Sequence, residues 1–457
     1  MPNQYLCGVI LPTIAALATA KGRGALHVVR LSGPQALVVA QRVFSARGAW
    51  VPRKAMLGIF HSADGRELDE GLATWFKGPA SFTGEDVVEF GLHGAAYIAE
   101  EALTALLAAG AELAAPGEFT QRAFAHGKLD LAQAEAVGDL IAAESRAGHE
   151  LALKQLKGTV SRKLSELRRQ MTDFAALIEL ELDFVEEDVE FAHRDQLLSV
   201  LDQLVAECTT MHATFRHGQA IRDGIPLVLL GAPNAGKSTL LNRLLRDDRA
   251  LVSAVPGTTR DSVEERFRLG DYVFRLIDTA GIRATEDQIE QMGIERSWNK
   301  LAEAHLAVVL VDPTETTAES ARELVEKVRE ANPEAEVTVL LTKSDLWGAF
   351  DRSAYPEHLV FGPEEEALSR LETHLLDRIR QHEPEGNVLI ANARHASALL
   401  ATIESLSRAR VSLTQGTSGE LVAYDLRDAL RQLGSITGEI TADDLLGSIF
   451  SSFCIGK

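Results

Sequence analysis

The octapeptide Gly231-Ala-Pro-Asn234-Ala235-Gly236-Lys237-Ser238 sits between the apolar run Leu227–Leu230 and a helix-forming segment, Thr239–Leu245. Strand, glycine-rich turn and helix in that order make the phosphate-binding pattern G-x-x-x-x-G-K-[ST]. The glycines let backbone N–H groups approach phosphates. Lys237 supplies a positive charge to the β- and γ-phosphates, and Ser238 offers a hydroxyl to Mg²⁺. A chance glycine turn followed by Lys-Ser is the competing reading, and the flanking strand and helix argue against it.

Outward from this loop, residues 224–380 alternate short apolar runs with helical stretches. Pro226–Leu230, Tyr272–Ile277, Leu306–Val311 and Val337–Leu341 suit buried parallel strands. Upstream, from about Leu129, Leu156, Val160, Leu164, Leu167, Met171, Phe174 and Ile178 recur at steps of three and four, which predicts one apolar stripe on a long helix. Downstream, Ser397–Leu413, Gly419–Leu433 and Ala442–Phe453 read as helices. The α/β domain is therefore expected as an insertion between two parts of a helical bundle, residues 126–223 and 381–457. Residues 1–125 mix strand-like runs (Ala25–Leu31, Gly71–Phe76, Val87–Leu92) with a short helix at Glu100–Ala109, an α+β module.

Two further motifs fit the loop. Asp278-Thr279-Ala280-Gly281 ends a strand 41 residues after Lys237, where the carboxylate reaches the Mg²⁺ shell and the Gly281 N–H meets the γ-phosphate. Thr342-Lys343-Ser344-Asp345 follows the run Val337–Leu341. The Asp345 carboxylate can accept from both the N1–H and the 2-amino group of guanine, a pairing that adenine does not offer. Together these motifs resemble the Ras-type GTPases, with Thr342 in place of their usual Asn. The S-A-[KR] element near the base is absent, and Phe361-Gly362-Pro363 stands there instead. In Ser253-Ala-Val255-Pro-Gly-Thr258-Thr259-Arg260-Asp261, Thr259 is the candidate that completes the Mg²⁺ shell. Ile282 follows Gly281 where a polar side chain would orient water, so catalysis must draw on another group.

Composition narrows the class. The 457 residues are 46% hydrophobic and 25% charged, values of a globular chain of about three domains. Forty-six Lys and Arg against 66 Asp and Glu give a net charge of −20, which argues against coating nucleic acid or an anionic membrane through bulk charge. Met171–Thr210 alone holds eleven acids and one Arg, half of the excess. Three scattered cysteines, Cys7, Cys208 and Cys454, supply neither a disulfide framework nor a zinc site. With no membrane-length apolar run and no leader pattern, a soluble cytoplasmic protein is expected.

Over essentially its whole length the chain resembles the MnmE (TrmE) family of GTPases, which act in modification of the tRNA wobble uridine. Gly22-Arg-Gly24, Arg30-Leu-Ser-Gly33, Ser81-Phe-Thr-Gly-Glu-Asp86, Pro116-Gly-Glu-Phe119, Lys128-Leu-Asp-Leu-Ala-Gln-Ala-Glu135 and the terminal Phe450-Ser-Ser-Phe-Cys454-Ile-Gly-Lys457 carry the likeness. The resemblance implies an N-terminal folate-binding and dimerisation domain, with Arg30, Glu89, Lys128 and Lys457 at a site for 5-formyl- or 5,10-methylene-tetrahydrofolate. It implies K⁺ bound by Asn234, Ser253, Val255 and Thr258, and Glu290 as the water-orienting carboxylate, with Lys237 acting on the phosphates. Arg260 and Arg283 would steady the switch segments, and Cys454 is a candidate thiol nucleophile. GTP contacts would extend over Asn234–Thr239, Ser253, Thr258, Thr259, Asp278–Gly281, Thr342, Lys343 and Asp345. A homodimer working on tRNA with a flavoprotein partner (MnmG), away from membranes, is implied as well. One rival is a ribosome-assembly switch of the Era or Der kind, which the acidic helical flanks disfavour, and the other is a folate-dependent enzyme whose G domain is purely regulatory.

Overall fold

The computed structural model describes residues 11–183, 194–245, 265–277, 300–348, 351–383, 388–417, 419–440, 443–451, 453 and 456. Two compact units emerge from the packing. One comprises Met1–Ile141, Gln155–Leu201 and Glu404–Lys457, the other Ala142–Lys154 and Asp202–Ile403.

The first unit opens with β1 (Ile14–Leu17), β2 (Leu26–Ser32), α1 (Ala36–Val43), β3 (Phe44–Ala46), β4 (Ala55–His61), β5 (Glu67–Phe76), β6 (Val87–His93), α2 (Ala96–Ala108), β7 (Glu112–Leu113) and α3 (Glu118–Ala125). The strands form one sheet in the order β3-β4-β5-β6-β2-β1-β7. All pairs are antiparallel except β1–β7. Val29, Leu31, Phe60 and Phe90 pack against Val39 and Val43 of α1 and Ala102 and Leu106 of α2. Side chains alternate across a strand, so with Val29 and Leu31 committed to that core, Arg30 faces the other way. Its register partner across β2 and β6 is Glu89.

After α4 (Leu131–Ala142) and α5 (Arg146–Leu156), the expected single helix is split. Gly158 takes φ +77°, and α6 (Thr159–Asp183) starts anew beyond it. Leu156 thus closes α5, while Val160, Leu164, Leu167, Met171, Phe174 and Ile178 lie along α6, each at most 2% exposed. Each such side chain gains about 1.5–3 kcal/mol from leaving water.

Helix α7 (Arg194–Ala213) crosses from the first unit into the second at Asp202, and the second continues through α8 (Phe215–Asp223) to β8 (Ile225–Gly231), α9 (Lys237–Leu244), β9 (Glu265–Leu269), β10 (Tyr272–Leu276), β11 (Leu306–Val311), α10 (Ala318–Ala331), β12 (Glu336–Leu341), β13 (His358–Val360) and α11 (Glu365–Gln381). The sheet order is β13-β12-β11-β8-β10-β9, parallel but for the β9–β10 hairpin. Leu240 and Leu244 of α9 and Leu371 and Leu375 of α11 cover one face, against Leu227, Leu229, Leu310 and Leu340. Ala321, Val325 and Val328 of α10 cover the other, against Val228, Leu230, Val309 and Val339. Burial on both faces is why these strands are continuous apolar runs.

Three helices close the chain: α12 (Ala393–Gln415), α13 (Gly419–Thr437) and α14 (Asp443–Ser451). Within the first unit α13 packs along α6, joined by the ion pair Arg427–Glu179, and Glu439 just past its end pairs with Arg168. Among the described residues no helix is long and apolar enough to cross a membrane.

Candidate functional site

The phosphate loop is built at the end of the central strand β8. Gly231 takes φ +150°, and a Cβ there would lie 2.5 Å from the Leu310 carbonyl oxygen on β11, so only glycine fits. Asn234 (φ +58°) and Gly236 (φ +96°) are also left-handed, and α9 starts immediately after, at Lys237 rather than at Thr239. Asn is among the side chains that tolerate this conformation. The result is a concave turn ending at the N-terminus of a helix, whose first N–H groups have no partner within the helix and favour anions. Lys237 folds back over the loop, its Nζ donating to Gly231 O (2.9 Å) and Ala232 O (2.8 Å). That places a cation at the rim of the turn. Ser238 and Thr239 are exposed on the first turn of α9, and Ala235 is buried beneath the loop.

The motif after β12 locks onto this loop. Thr342 is 2% exposed, and its Oγ1 donates to Ala235 O (2.8 Å), with a longer approach to Val311 O (3.3 Å). One hydroxyl thus ties the phosphate loop to the strand ends β11 and β12. Lys343 is left-handed (φ +59°) and pairs with Asp312 at 2.7 Å. Asp312 follows β11, and its Oδ1 accepts from the Thr314 N–H (3.0 Å) and hydroxyl (2.6 Å). Burial pushes the Asp312 carboxyl up, but hydrogen bonds from Lys343 and Thr314 outweigh it and hold the carboxyl below its usual range. The same hydrogen bond raises Lys343. A single 3-10 turn, Ser344–Leu346, then presents Asp345 to solvent beside the loop. Trp347 Nε1 donates to Thr342 O (2.8 Å) and pins the turn from behind.

Sequence reasoning does not single out Asp312, whose side chain is only 2% exposed. Replacing Lys343 by methionine leaves that carboxylate buried without its cation. The expected cost is about 3 kcal/mol of stability at pH 7, read as a lower urea midpoint. A lowered carboxyl pKa stabilises above the unfolded value of about 3.9, and that contribution is lost as pH falls through the folded value. The gap between the variant and the parent should therefore shrink below about pH 4, and a gap independent of pH would contradict the assignment.

A second cluster lies in the first unit. Arg30 pairs with Glu89 (Nη2 to Oε1, 2.8 Å). Its guanidinium carbon is 5.7 Å from the centre of the Phe82 ring and 5.6 Å from that of Phe119. Arg30 Nη1 also donates to Gly456 O at 3.5 Å, so the tail of the chain reaches this pair. A Cβ on Gly456 would collide with Leu17 O, so the tail lies tight against β1. Lys128 Nζ donates to Pro79 O (3.0 Å) in the loop that leads to Phe82. Behind them runs a buried polar network. Ser32 Oγ donates to Glu85 Oε2 (2.7 Å), and Arg122, 2% exposed, pairs with Glu85 (3.1 Å) and Glu118 (2.6 Å) and donates to Pro12 O (2.9 Å). The scattered sequence motifs at residues 30–33, 81–86 and 116–119 thus converge. Gly117 joins them to the tail, since a Cβ there would meet Phe450 O at 2.5 Å.

Ser253, Val255, Thr258, Thr259, Arg260, Asp278, Thr279, Ala280, Gly281, Arg283, Glu290, Cys454 and Lys457 lie outside the described residues.

The doubly covered parallel sheet, the loop after its central strand and the Thr342–Asp345 turn locked to it define a P-loop nucleotide-binding domain. A model of the GTP-binding protein TrmE N-terminus matches residues 13–128, and a model of the MnmE helical domain matches residues 131–454. The tRNA modification GTPase MnmE of Porphyromonas gingivalis is 41% identical, over 97% of this chain and 98% of its own. That of Cytophaga hutchinsonii is 42% identical, with the same coverage of 97% and 98%. The chain belongs to the MnmE (TrmE) family. Among solved structures, the G domain of the T. maritima FeoB iron transporter is 22% identical, covering 34% of this chain and 97% of that one, with a TM-score of 0.24.

Proposed function

We propose that GTP hydrolysis by this protein regulates formation of carboxymethylaminomethyl-uridine at the tRNA wobble position, a modification it makes together with a flavoprotein partner (MnmG). The single observation that supports the nucleotide reading best is the Thr342 hydroxyl on Ala235 O, which holds the guanine-reading turn and the phosphate loop in one piece. Identity of 41–42% over 97% of the chain with tRNA modification GTPases supports the tRNA half of the proposal.

In this reading Lys237 leaves its two carbonyls to meet the β- and γ-phosphates, and the N–H groups of the loop bind phosphate oxygens. The exposed Ser238 hydroxyl, with Thr259 and Asp278, suits Mg²⁺, an oxygen-seeking cation that offsets charge on the phosphates. Asn234, Ser253, Val255 and Thr258 would hold K⁺, adding positive charge beside them. Glu290 orients the water that Ile282 cannot, and Arg283 steadies the segment around it. Asp345 reads N1–H and the 2-amino group, and Thr279, Ala280, Gly281 and Lys343 complete the nucleotide contacts.

The second cluster suits a folate. Arg30 and Glu89 form a half-buried cation–anion pair beside the partly exposed ring of Phe82. A carboxylate and an aromatic face suit a pterin ring, and the cations Arg30, Lys128 and Lys457 suit the glutamate tail of a folate. A tetrahydrofolate derivative bound there would supply a one-carbon unit, and Cys454 is the candidate nucleophile. The proposed organisation is a folate-binding and dimerisation domain (1–125), a helical domain in two parts (126–223 and 381–457) and an inserted GTPase domain (224–380), acting as a cytoplasmic homodimer.

The test is nucleoside analysis of tRNA from a strain lacking the protein, with GTPase rates of the purified protein in K⁺ and in Na⁺. The expected results are loss of the modified wobble uridine and a faster rate in K⁺. Unchanged tRNA nucleosides with altered ribosomal subunit profiles would favour an Era- or Der-like switch instead.

A further inference from the structure

The sequence lacks the S-A-[KR] element that Ras-type GTPases place beside the base, and the structure holds a different device at that position. Phe361-Gly362-Pro363-Glu364 follows β13 and leads into α11. Arg243, on the last turn of α9, reaches across to it. Nη1 donates to Gly362 O (2.6 Å) and Nη2 to Glu364 O (2.8 Å). The same guanidinium lies 4.7 Å from the centre of the Phe361 ring, and Phe361 is 5% exposed. A planar fork bonded to two carbonyls and stacked on a ring fixes a loop in a way that a lysine cannot.

The loop so fixed is pressed against the guanine-reading turn. A Cβ on Gly362 would collide with Ser344 Oγ and with Glu364 Oε2. Ser344 immediately precedes Asp345. The Asp345 carboxylate is an acceptor, so it can read N1–H and the 2-amino group but not the 6-oxo group of guanine, which needs a donor. The 361–364 backbone is the element packed against that turn, and Pro363 has no N–H, so the donors in this stretch are those of its neighbours.

Resting on the guanine-nucleotide reading of this site, we propose that Arg243 is a positioning residue for base selection. From the helix that starts at the phosphate loop, it holds the 361–364 loop against Ser344, so that the loop backbone serves the 6-oxo edge of guanine. Arg243 would do the work that the missing element does through its own sequence.

The test uses the full-length protein with three variants, Arg243→Leu, Arg243→Lys and Gly362→Ala, and titrates GDP, IDP and 6-thio-GDP. IDP keeps the 6-oxo group and lacks the 2-amino group. 6-Thio-GDP keeps N1–H and the 2-amino group and carries sulfur, a weak acceptor, at position 6. Arg243→Leu is expected to weaken GDP and IDP by about ten-fold and 6-thio-GDP by no more than about three-fold. Arg243→Lys should fall between Leu and the parent, and Gly362→Ala should show the same selective loss from the opposite side of the contact. Equal losses for all three nucleotides would assign Arg243 to the stability of α9 and overturn the proposal, as would no loss for GDP. If Arg243→Leu does not fold, the other two variants carry the same comparison of nucleotides. A parent protein that binds ADP as tightly as GDP would overturn the guanine reading itself. Guanine preference kept undiminished in all three variants would overturn only the role of Arg243.

Discussion

Replacing Asp345 by asparagine should weaken GTP binding by about two orders of magnitude while binding of XTP improves. In the proposed site the carboxylate accepts two hydrogen bonds from one edge of guanine, and charge-assisted pairs are roughly twice as strong as neutral ones. An amide keeps one acceptor and turns its NH₂ donors toward the guanine 2-amino group, which cannot accept them. Leaving polar groups unpaired in a site built to satisfy them is the route by which binding sites reject near-isosteres by large factors. Xanthine carries an oxygen where guanine has the 2-amino group, so the asparagine amide can donate to it. Titration with fluorescent GDP and competition by XTP measure both halves. Asp345 is exposed, so the substitution should leave the melting temperature within about two degrees of the parent. An unchanged GTP affinity would remove Asp345 from the base site.

The largest expected stability effect belongs to Arg122. The side chain is 2% exposed and serves Glu85, itself 10% exposed, and Glu118, 21% exposed. Arg122→Met fills a similar volume but strands two carboxylates. Breaking a buried pair in this way costs about 3–5 kcal/mol, against a typical domain stability of about 5–15 kcal/mol. An earlier denaturation transition is expected in urea, with GDP affinity at about 20 °C within about two-fold of the parent, because the nucleotide loop lies in the other unit. A midpoint unchanged from the parent would show that the network is not what holds the N-terminal sheet to its flanking loops.

What can be read from the sequence follows from how local each feature is. β8 and β11 are buried on both faces, so Leu227–Leu230 and Leu306–Val311 are unbroken apolar runs. The α6 stripe shows plainly because a long helix repeats its buried face turn after turn. β9 escapes notice because Glu265-Arg-Phe-Arg-Leu269 sits at the sheet edge and alternates charge with apolar residues. β7 is two residues long and offers no pattern at all. The break at Gly158 is invisible to periodicity, since Leu156 and Val160 keep the helical step across it.

The candidate site divides in the same way. Gly231–Ser238 and Thr342–Asp345 are contiguous, so chemistry and spacing appear together. Asp312, Arg243 and Arg122 work through partners 31, 119 and 37 residues away in sequence. An isolated arginine on a helix looks like surface charge until the fold supplies the carbonyls or carboxylates it meets. The missing S-A-[KR] element is legible as an absence, but what stands in for it is not, because that group is an arginine on another helix.

The pairing of α6 with α13 has a consequence for synthesis. The buried stripe of α6 is complete once Ile178 is made, but α13, which packs along it, begins only at Gly419, 241 residues later. At about 5–20 residues per second, translation takes roughly 10–50 s to supply it. During that interval the second unit can close, since its last residue is Ile403. The nascent chain therefore carries a finished nucleotide-binding unit while α6 still waits for its partner α13. The first unit is sealed last, when Gly456 reaches Arg30.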